Sequence, residues 1–464
     1  MNLPQPVKRI EDLALAVLAW RRLIRHDSWR RQDVRHHQQA QLDALVRHAV
    51  ARSPFYRQYY RGLDTAKPIV LGALPRVDKR TVMANFDQLV TDPRLTLAAL
   101  EDHLRTVRHD DYYLGEYRVL ATAGTSGFRG VFVFDRAEWR IELANALRWH
   151  GLMGVRPRLF PRVRMSAIGA DSPVHVSARL TASSDVGLFR FQRLPVTMPL
   201  RDLARALDRF RPEVLLAYPS VAALLALEEL AGRLDIHPRI VSTHSELMTG
   251  EMSRKIERAW GTRPFNHYGL TELSTFGAEC EHRRGMHMLD DLFIAEIVDD
   301  AFRPVEPGRP GRRLLLTNLY NYTQPLIRYD VSDMLTLDPA PCSCGRPFPL
   351  IAAIEGRQEE IVELAGRDGR AIAVSPLAIT GMIEALTGIA ESQVLSGRGT
   401  IRVRFVPSDV AGADRVAGSI RDCLGAWLAK IGAASTVVQI DEVAAIERSS
   451  NRMGKIKLVE ASKR

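Results

Sequence analysis

The sequence predicts an α/β protein: a large N-terminal domain with mostly parallel sheets and helices over residues 1–354, then a small α+β domain over residues 355–464. Three observations carry this. From about residue 118, short apolar runs alternate with amphipathic helical stretches, the pattern of strand–helix–strand units. Residues 1 to about 100 read instead as helices, and past about residue 355 an alternating run, a long helix and a strand suit a compact α+β unit. The length of 464 residues is enough for two or three domains, each with its own core.

Taken in order, Gln38 to Arg52 places Leu42, Leu45, Val46 and Val50 at helical spacing, and Ser53-Pro54 stops it. Arg118 to Ala123 and Val131 to Phe134 predict two strands around a glycine turn. Leu200, Leu203, Leu207 and Phe210 make one helical face, Glu213 to Tyr218 a strand, and Val221 to Leu230 a second helix. Arg239 to Ser242 is the next strand, Thr249 can cap a helix from Gly250 to Trp260, and Pro264 to His267 is a strand again. In the last part Ile401 to Phe405 alternates, Ala411 to Ile431 is helical, and Thr436 to Ile440 is a strand.

Composition excludes several classes. With 46% hydrophobic, 7% aromatic and 25% charged residues the chain is globular, and four cysteines make no disulfide framework. The formal charge is +10, yet only eight of the 64 basic residues are lysine, and the arginines recur beside acids, as in Arg201-Asp202 and Glu257-Arg258. A nucleic-acid surface would show a basic stripe with interleaved aromatics. An anionic small molecule such as a nucleotide suits this pattern better. The apolar run Leu13 to Trp20 is too short to span a membrane and lacks the flanks of a signal peptide, so a cytoplasmic protein is expected.

Several segments could carry chemistry. Thr122, Ala123, Gly124, Thr125, Ser126, Gly127, Phe128, Arg129 and Gly130 lie between two predicted strands. Small residues let the backbone approach a polyanion, and N–H groups, hydroxyls and Arg129 supply donors and charge. The segment also fits a plain glycine hairpin, and it is neither a Walker loop nor a dinucleotide fingerprint. Asn266 to Glu272 follows a strand; its Tyr-Gly-Leu-Thr-Glu can offer an aromatic face to a base, a hydroxyl to a phosphate and a carboxylate to Mg²⁺, or form an ordinary turn. Ile327 to Asp333, Gly356 to Glu360 and Arg448 to Lys455 follow in order, the last placing a lysine after a glycine.

In this order and spacing the set resembles the adenylate-forming (acyl-CoA synthetase) superfamily, and within it the phenylacetate-CoA ligase-like branch; Ser53 to Arg57 and Leu74 to Phe86 resemble that branch's N-terminal segment. The resemblance implies an ATP-dependent ligase in which Thr122, Thr125, Ser126 and Gly127 hold the ATP phosphates. It puts Ser245, Glu246, Tyr268 and Gly269 at the adenine, Thr271 at the phosphate, Glu272 on Mg²⁺, Asp333 on the ribose hydroxyls and Arg357 just before a mobile small domain. Lys455, with Lys457 as fallback, matches the lysine that stabilises charge at the α-phosphate. The implied substrate is a small carboxylic acid, aryl or arylacetic, in a pocket drawing on Ser166 to Ala170, Tyr218, Pro219 and His244. The implied acceptor is coenzyme A, with an acyl carrier protein or a nitrogen nucleophile as alternatives, and a non-catalytic nucleotide binder as a third reading.

Cys342, Cys344 and Cys280 with His287 would make a tetrahedral zinc shell with no open position, hence a structural site; relatives in this branch often carry such a set. Reduced buried thiols are the alternative, His282 is a competing ligand, and Cys423 is expected in the core.

Overall fold

The computed structural model describes residues 5–108, 110–122, 129–156, 158, 160–170, 172–185, 187–357, 361–367, 370–374, 376–397, 399–409, 412–448 and 459–461. Two compact units are formed. One comprises Met1–Val163, Gly169–Phe191 and Phe265–Ala353; the other comprises Arg164–Ile168, Gln192–Pro264 and Ile354–Arg464.

The first unit opens with two long helices, Gln5–His26 and Arg31–Arg52. The apolar run from Leu13 lies in the first of them, burying Leu13, Ala16 and Leu23 while Leu15 and Leu18 stay exposed. The second buries Leu42, Leu45, Val46 and Ala49 and stops at the expected place, where the Ser53 hydroxyl accepts the Tyr56 N–H at 3.3 Å and starts the helix Pro54–Tyr59. A buried ion cluster ties these helices to the helix Arg136–Leu152. Arg148 donates to Asp291 at 2.9 Å, His26 Nδ1 lies 2.7 Å from the same carboxylate, and Arg31 donates to Asp290 at 2.8 Å. Burial opposes ionisation of Asp291, but Arg148 and His26 outweigh it and hold the carboxyl below the usual range. Such a charge left unpaired would cost several kcal/mol.

Two sheets follow. In one, Phe293–Val298 pairs antiparallel with Arg313–Asn318, which pairs with Tyr329–Asp330, and Val77–Asp78 joins the last in parallel. In the other, Phe265–Tyr268, Gly277–Glu279, Met286–Met288 and Leu350–Arg357 are neighbours in that order, antiparallel throughout, with Asp333–Leu337 beyond. Arg118–Ala121 and Val131–Phe134 form an antiparallel pair, and all eight residues are buried.

In the second unit Val214–Ala217 runs parallel to both neighbours, Arg164–Gly169 and Ile240–His244. The helices Leu200–Phe210, Pro219–Leu230 and Gly250–Trp260 supply Leu203, Leu207, Val221, Leu225 and Ile256 to its core. Thr249 caps the third of these as expected, accepting the Met252 N–H at 3.2 Å. Helices make these parallel crossovers. From Phe265 to Met288 successive strands pair antiparallel through short connections, whereas beyond residue 360 Thr400–Pro407 pairs in parallel with Val437–Glu442 and Ile389–Gly397 with Val459–Ala461.

Residues beyond 360 have a core of their own, with Val362, Leu364, Ile379, Val394, Val403, Phe405, Ile420 and Leu424 buried together. Its sheet orders Val437–Glu442, Thr400–Pro407, Ile389–Gly397 and Val459–Ala461, and the helix Ala413–Lys430 packs on it. Cys423, expected in this core, is half-buried, because the inward positions of its helix are taken by Ile420, Leu424 and Leu428.

Back in the first unit, the helix Arg136–Leu152 starts in a capping box between Asp135 and Glu138 and buries Glu142 one turn later. Burial pushes the Glu142 carboxyl up to about 7, against the Tyr320 hydroxyl and the Ser274 N–H, which favour its charge. Between its ordinary value of 4.5 and about 7, the folded protein keeps a proton that the unfolded chain has lost. Stability therefore falls as pH rises through that window. Glu142→Gln removes this titration, so thermal or urea unfolding at about pH 5 and about pH 8 should show the variant gaining roughly 1–3 kcal/mol on the wild type. Equal pH slopes for the two proteins would show that Glu142 does not titrate there.

Candidate active site

In the first unit the strand Phe265–Tyr268 ends at the Tyr-Gly-Leu-Thr-Glu segment. The Tyr268 hydroxyl donates to Oδ2 of Asp333, the first residue of the strand Asp333–Leu337, so two side chains from sequence segments far apart meet directly. Asp333 is buried, and the Tyr268 ring meets Phe276 edge-on at 5.1 Å. Glu272 is buried as well. Tyr329 donates to its Oε1 at 3.1 Å, and Asn318 Nδ2 donates to its backbone carbonyl at 3.0 Å. Thr271 is half-buried beside it. Gly269 has no alternative here, since a Cβ would lie 2.3 Å from the Ser274 carbonyl oxygen.

The segment is held from behind by two residues that the sequence reading passed over. Glu142 accepts the Ser274 N–H at 3.2 Å and the Ser274 hydroxyl, and the Trp149 ring stacks on His267 at 4.1 Å. Both lie on the helix Arg136–Leu152. The available signal was a pair of carboxylates, Glu138 and Glu142, spaced one turn apart on a helix whose other inward residues include Trp139 and Leu143.

At the glycine loop, Thr122 and Gly130 close the mouth reciprocally: the Thr122 N–H donates to the Gly130 carbonyl, and the Gly130 N–H to Thr122 Oγ1, both at 2.9 Å. Thr125, Ser126 and Gly127 lie outside the described residues. Arg129 is half-buried. At the Ile327 to Asp333 segment, Arg313 Nη1 donates to Asp330 at 2.8 Å and Ser332 adopts φ +64°.

In the second unit Ser245 and Glu246 follow the strand Ile240–His244. Ser245 takes φ +71°, a left-handed conformation costing a non-glycine residue roughly 1–2 kcal/mol, and its Oγ is 3.0 Å from His244 Nδ1. Strain of this kind gathers at functional sites. Glu246 accepts the Ser220 hydroxyl at 2.6 Å and faces Arg448 at 3.8 Å. Of the residues expected to line an acid pocket, Tyr218 and His244 meet edge-on at 5.5 Å, and the Ser166 hydroxyl donates to Gln192 at 2.7 Å. Pro219 opens the helix Pro219–Leu230, and Arg357 ends the strand Leu350–Arg357, half-buried. Lys455 and Lys457 lie outside the described residues.

The cysteine and histidine set converges in the first unit. One donor atom from each of Cys280, His287, Cys342 and Cys344 lies within 4.8 Å of the others. Cys280 and Cys342 sulfurs are 3.8 Å apart, far beyond a disulfide bond, and Cys344 Sγ is 3.3 Å from His287 Nε2. A tetrahedron with metal–sulfur bonds of about 2.3 Å has an edge of about 3.8 Å, so this donor set fits zinc. Burial pushes the Cys280 thiol up to about 12 and holds His287 down at about 4. His282, the competing ligand, instead lies 3.1 Å from the Ser343 hydroxyl.

No protein-family model matches the chain. A phenylacetate-coenzyme A ligase of Thermus thermophilus is 28% identical over 355 residues, covering 72% of this chain and 73% of that protein. Among solved structures, a 2-hydroxyisobutyryl-CoA ligase in complex with 2-HIB-AMP aligns with a TM-score of 0.73 at 19% identity, covering 95% of this chain and 92% of that one. An anthranilate CoA ligase in complex with anthranoyl-AMP aligns with a TM-score of 0.54 at 16% identity, covering 73% and 64%. The solved structures establish the fold, and the sequence relative refines it. The chain thus has the fold of these acyl-CoA ligases and is similar in sequence, over 72% of its length, to a phenylacetate-coenzyme A ligase.

Proposed function

We propose that this protein is an AMP-forming acid–thiol ligase that activates a small carboxylic acid with ATP and passes the acyl group to coenzyme A. The observation that carries the reading is the Tyr268–Asp333 hydrogen bond with buried Glu272 four residues along, because it joins an aromatic face, a ribose-binding carboxylate and a cation ligand in one unit. In the first half-reaction a carboxylate oxygen attacks the α-phosphorus of ATP, and the bond to pyrophosphate breaks. In the second, the thiol sulfur attacks the acyl carbonyl, AMP leaves, and the thiol proton passes to solvent.

Both partners in the first step are anionic, so the site needs cations and aligned donors more than a general base. Tyr268, Gly269, Ser245 and Glu246 would border the adenine, and Asp333 would accept from the ribose hydroxyls. Thr122, Thr125, Ser126 and Gly127 would donate to the phosphates, with Thr271 beside them. Mg²⁺ would neutralise phosphate charge, held by Glu272, which offers Oε2 while Tyr329 engages Oε1. Lys455 would stabilise charge at the α-phosphate during the first step. Residues 355–464 would be the mobile small domain that delivers it, turning around Glu359, which lies outside the described residues. An aryl or arylacetic acid would lie near the Tyr218 and His244 rings, and the reaction would take place in the cytoplasm, where ATP and coenzyme A are present.

Pyrophosphate release from Mg-ATP, measured over a panel of aromatic and aliphatic acids with and without coenzyme A, tests this. Release with one acid class and a coenzyme A-dependent thioester is expected; release without thioester would move the acceptor to a carrier protein or an amine. Lys455→Ala should lower adenylation by roughly 100-fold or more. An effect confined to Lys457→Ala would transfer the role to that residue.

The four ligands Cys280, His287, Cys342 and Cys344 would hold one structural zinc, which braces the turn after Glu279 against the loop at residues 342–344. Elemental analysis should find about one zinc per chain. Stripping it with a strong chelator, or Cys342→Ser, should lower the unfolding temperature by several degrees. A metal-free protein with unchanged unfolding would reject the site.

A further inference from the structure

The first helix, Gln5–His26, leaves one face uncovered. It buries Leu13, Ala16 and Leu23, and on the opposite side Val7, Ile10, Ala14 and Leu18 stand exposed, Ile10 by 63% and Leu18 by 59%. At about 100° per residue these four fall within about 80° of one another, and the exposed Arg21 and Arg25 continue the same stripe toward the C-terminal end. The acids of this helix do not offset those cations, because Asp12 is buried and Glu11 is paired with Arg136 at 2.6 Å. Arg136 reaches Glu11 and Arg148 reaches Asp27, so the helix Arg136–Leu152 runs parallel to the first one. The segment that leaves it therefore starts at the end where the stripe's arginines lie. In that segment Phe160 is 94% exposed, and Arg156, Arg158 and Arg162 on either side of it are exposed as well. Apolar surface gathered in this way, and bordered by one sign of charge, marks an interaction surface.

We propose that this face docks on an anionic phospholipid bilayer: Val7, Ile10, Ala14 and Leu18 enter the headgroup boundary, Phe160 makes a second apolar contact, and Arg21, Arg22, Arg25 and the arginines beside Phe160 meet lipid phosphates. No helix among the described residues is long and apolar enough to cross a membrane, so the contact is one of surface. The charge selects this occupant. A bilayer with anionic lipid supplies the negative sign that the face lacks, while its acyl boundary takes the aliphatic side chains. A second copy of the chain would present no acid to these arginines, since the same face on both partners carries none. Length agrees with the charge, because a stripe of about 27 Å from Val7 to Arg25 suits an extended plane. The proposal is independent of the ligase reading above.

Co-sedimentation of the full-length protein with vesicles tests this. Phosphatidylcholine vesicles containing about one third phosphatidylserine should bind roughly 10-fold more tightly than phosphatidylcholine alone, and raising salt from about 0.1 to about 1 M should remove most of that difference. Ile10→Ser with Leu18→Ser, and separately Phe160→Ser, should each weaken binding to the anionic vesicles by roughly 5- to 10-fold. Arg21→Glu with Arg25→Glu should abolish the preference for anionic lipid. All these side chains are exposed, so unfolding temperatures should stay within about 2 °C of the wild type, which separates lost docking from lost folding. Equal binding to both vesicle types, no binding to either, or binding that the apolar substitutions leave unchanged overturns the proposal. Sedimentation equilibrium without lipid decides on a second copy: a wild-type dimer that Ile10→Ser with Leu18→Ser turns into monomer makes the face a subunit contact and overturns it as well. Neither readout uses pyrophosphate release, so failure of docking and failure of the ligase reading are told apart.

Discussion

The candidate site depends on one buried carboxylate that touches no part of the chemistry. Glu142 receives the Ser274 N–H, the Ser274 hydroxyl and the Tyr320 hydroxyl, and so fixes the far end of the segment that begins at Tyr268. In the proposed function this turn would offer a cation ligand and an aromatic face to a nucleotide, and it would have to hold its shape when that anion arrived. Short loops hold shape only when their backbone donors are satisfied from behind. The cost is a carboxyl far from water, whose ionisation burial opposes. Gly269 adds the complementary constraint, because the turn closes too tightly there for any side chain.

The arginine surplus finds its explanation in the same terms. Arg118 and Arg148 are fully buried, each against carboxylates, and Arg328 makes a two-pronged contact with Glu296 at 2.9 Å while donating to the Leu74 carbonyl. A guanidinium can serve several acceptors in a plane and stays charged when buried, which an ammonium does poorly. These three arginines are therefore struts between helices and loops.

Strain and pairing also mark the segments proposed to meet the nucleotide. Ser245 and Ser332, both left-handed, stand beside Glu246 and Asp333, the two acids assigned to adenine and ribose. Glu246 is tied to Ser220 and Arg448, and Asp333 to Tyr268. Each acid is thus already held by a neighbour, which would reduce what must be ordered if a nucleotide binds as proposed.

What the sequence determined by itself was local. Apolar spacing located the helices Leu200–Phe210 and Gly250–Trp260 nearly to the residue, and turn residues separated Arg118–Ala121 from Val131–Phe134, because periodicity and capping act within a few positions. The helix Arg31–Arg52 was foreseen only from Gln38, since its first two turns bury little apolar surface. The order of the nucleotide segments and the Cys and His set were legible because chemistry restricts the residue types. Only the tertiary structure decided that Tyr268 meets Asp333, that Cys280 and His287 meet Cys342 and Cys344, and that the strands from Phe265 to Met288 pair antiparallel. It alone revealed Glu142 and Trp149, whose partners in the Tyr268 region lie more than a hundred residues away. Burial and long-range hydrogen bonding, unlike periodicity, leave no regular trace along the chain.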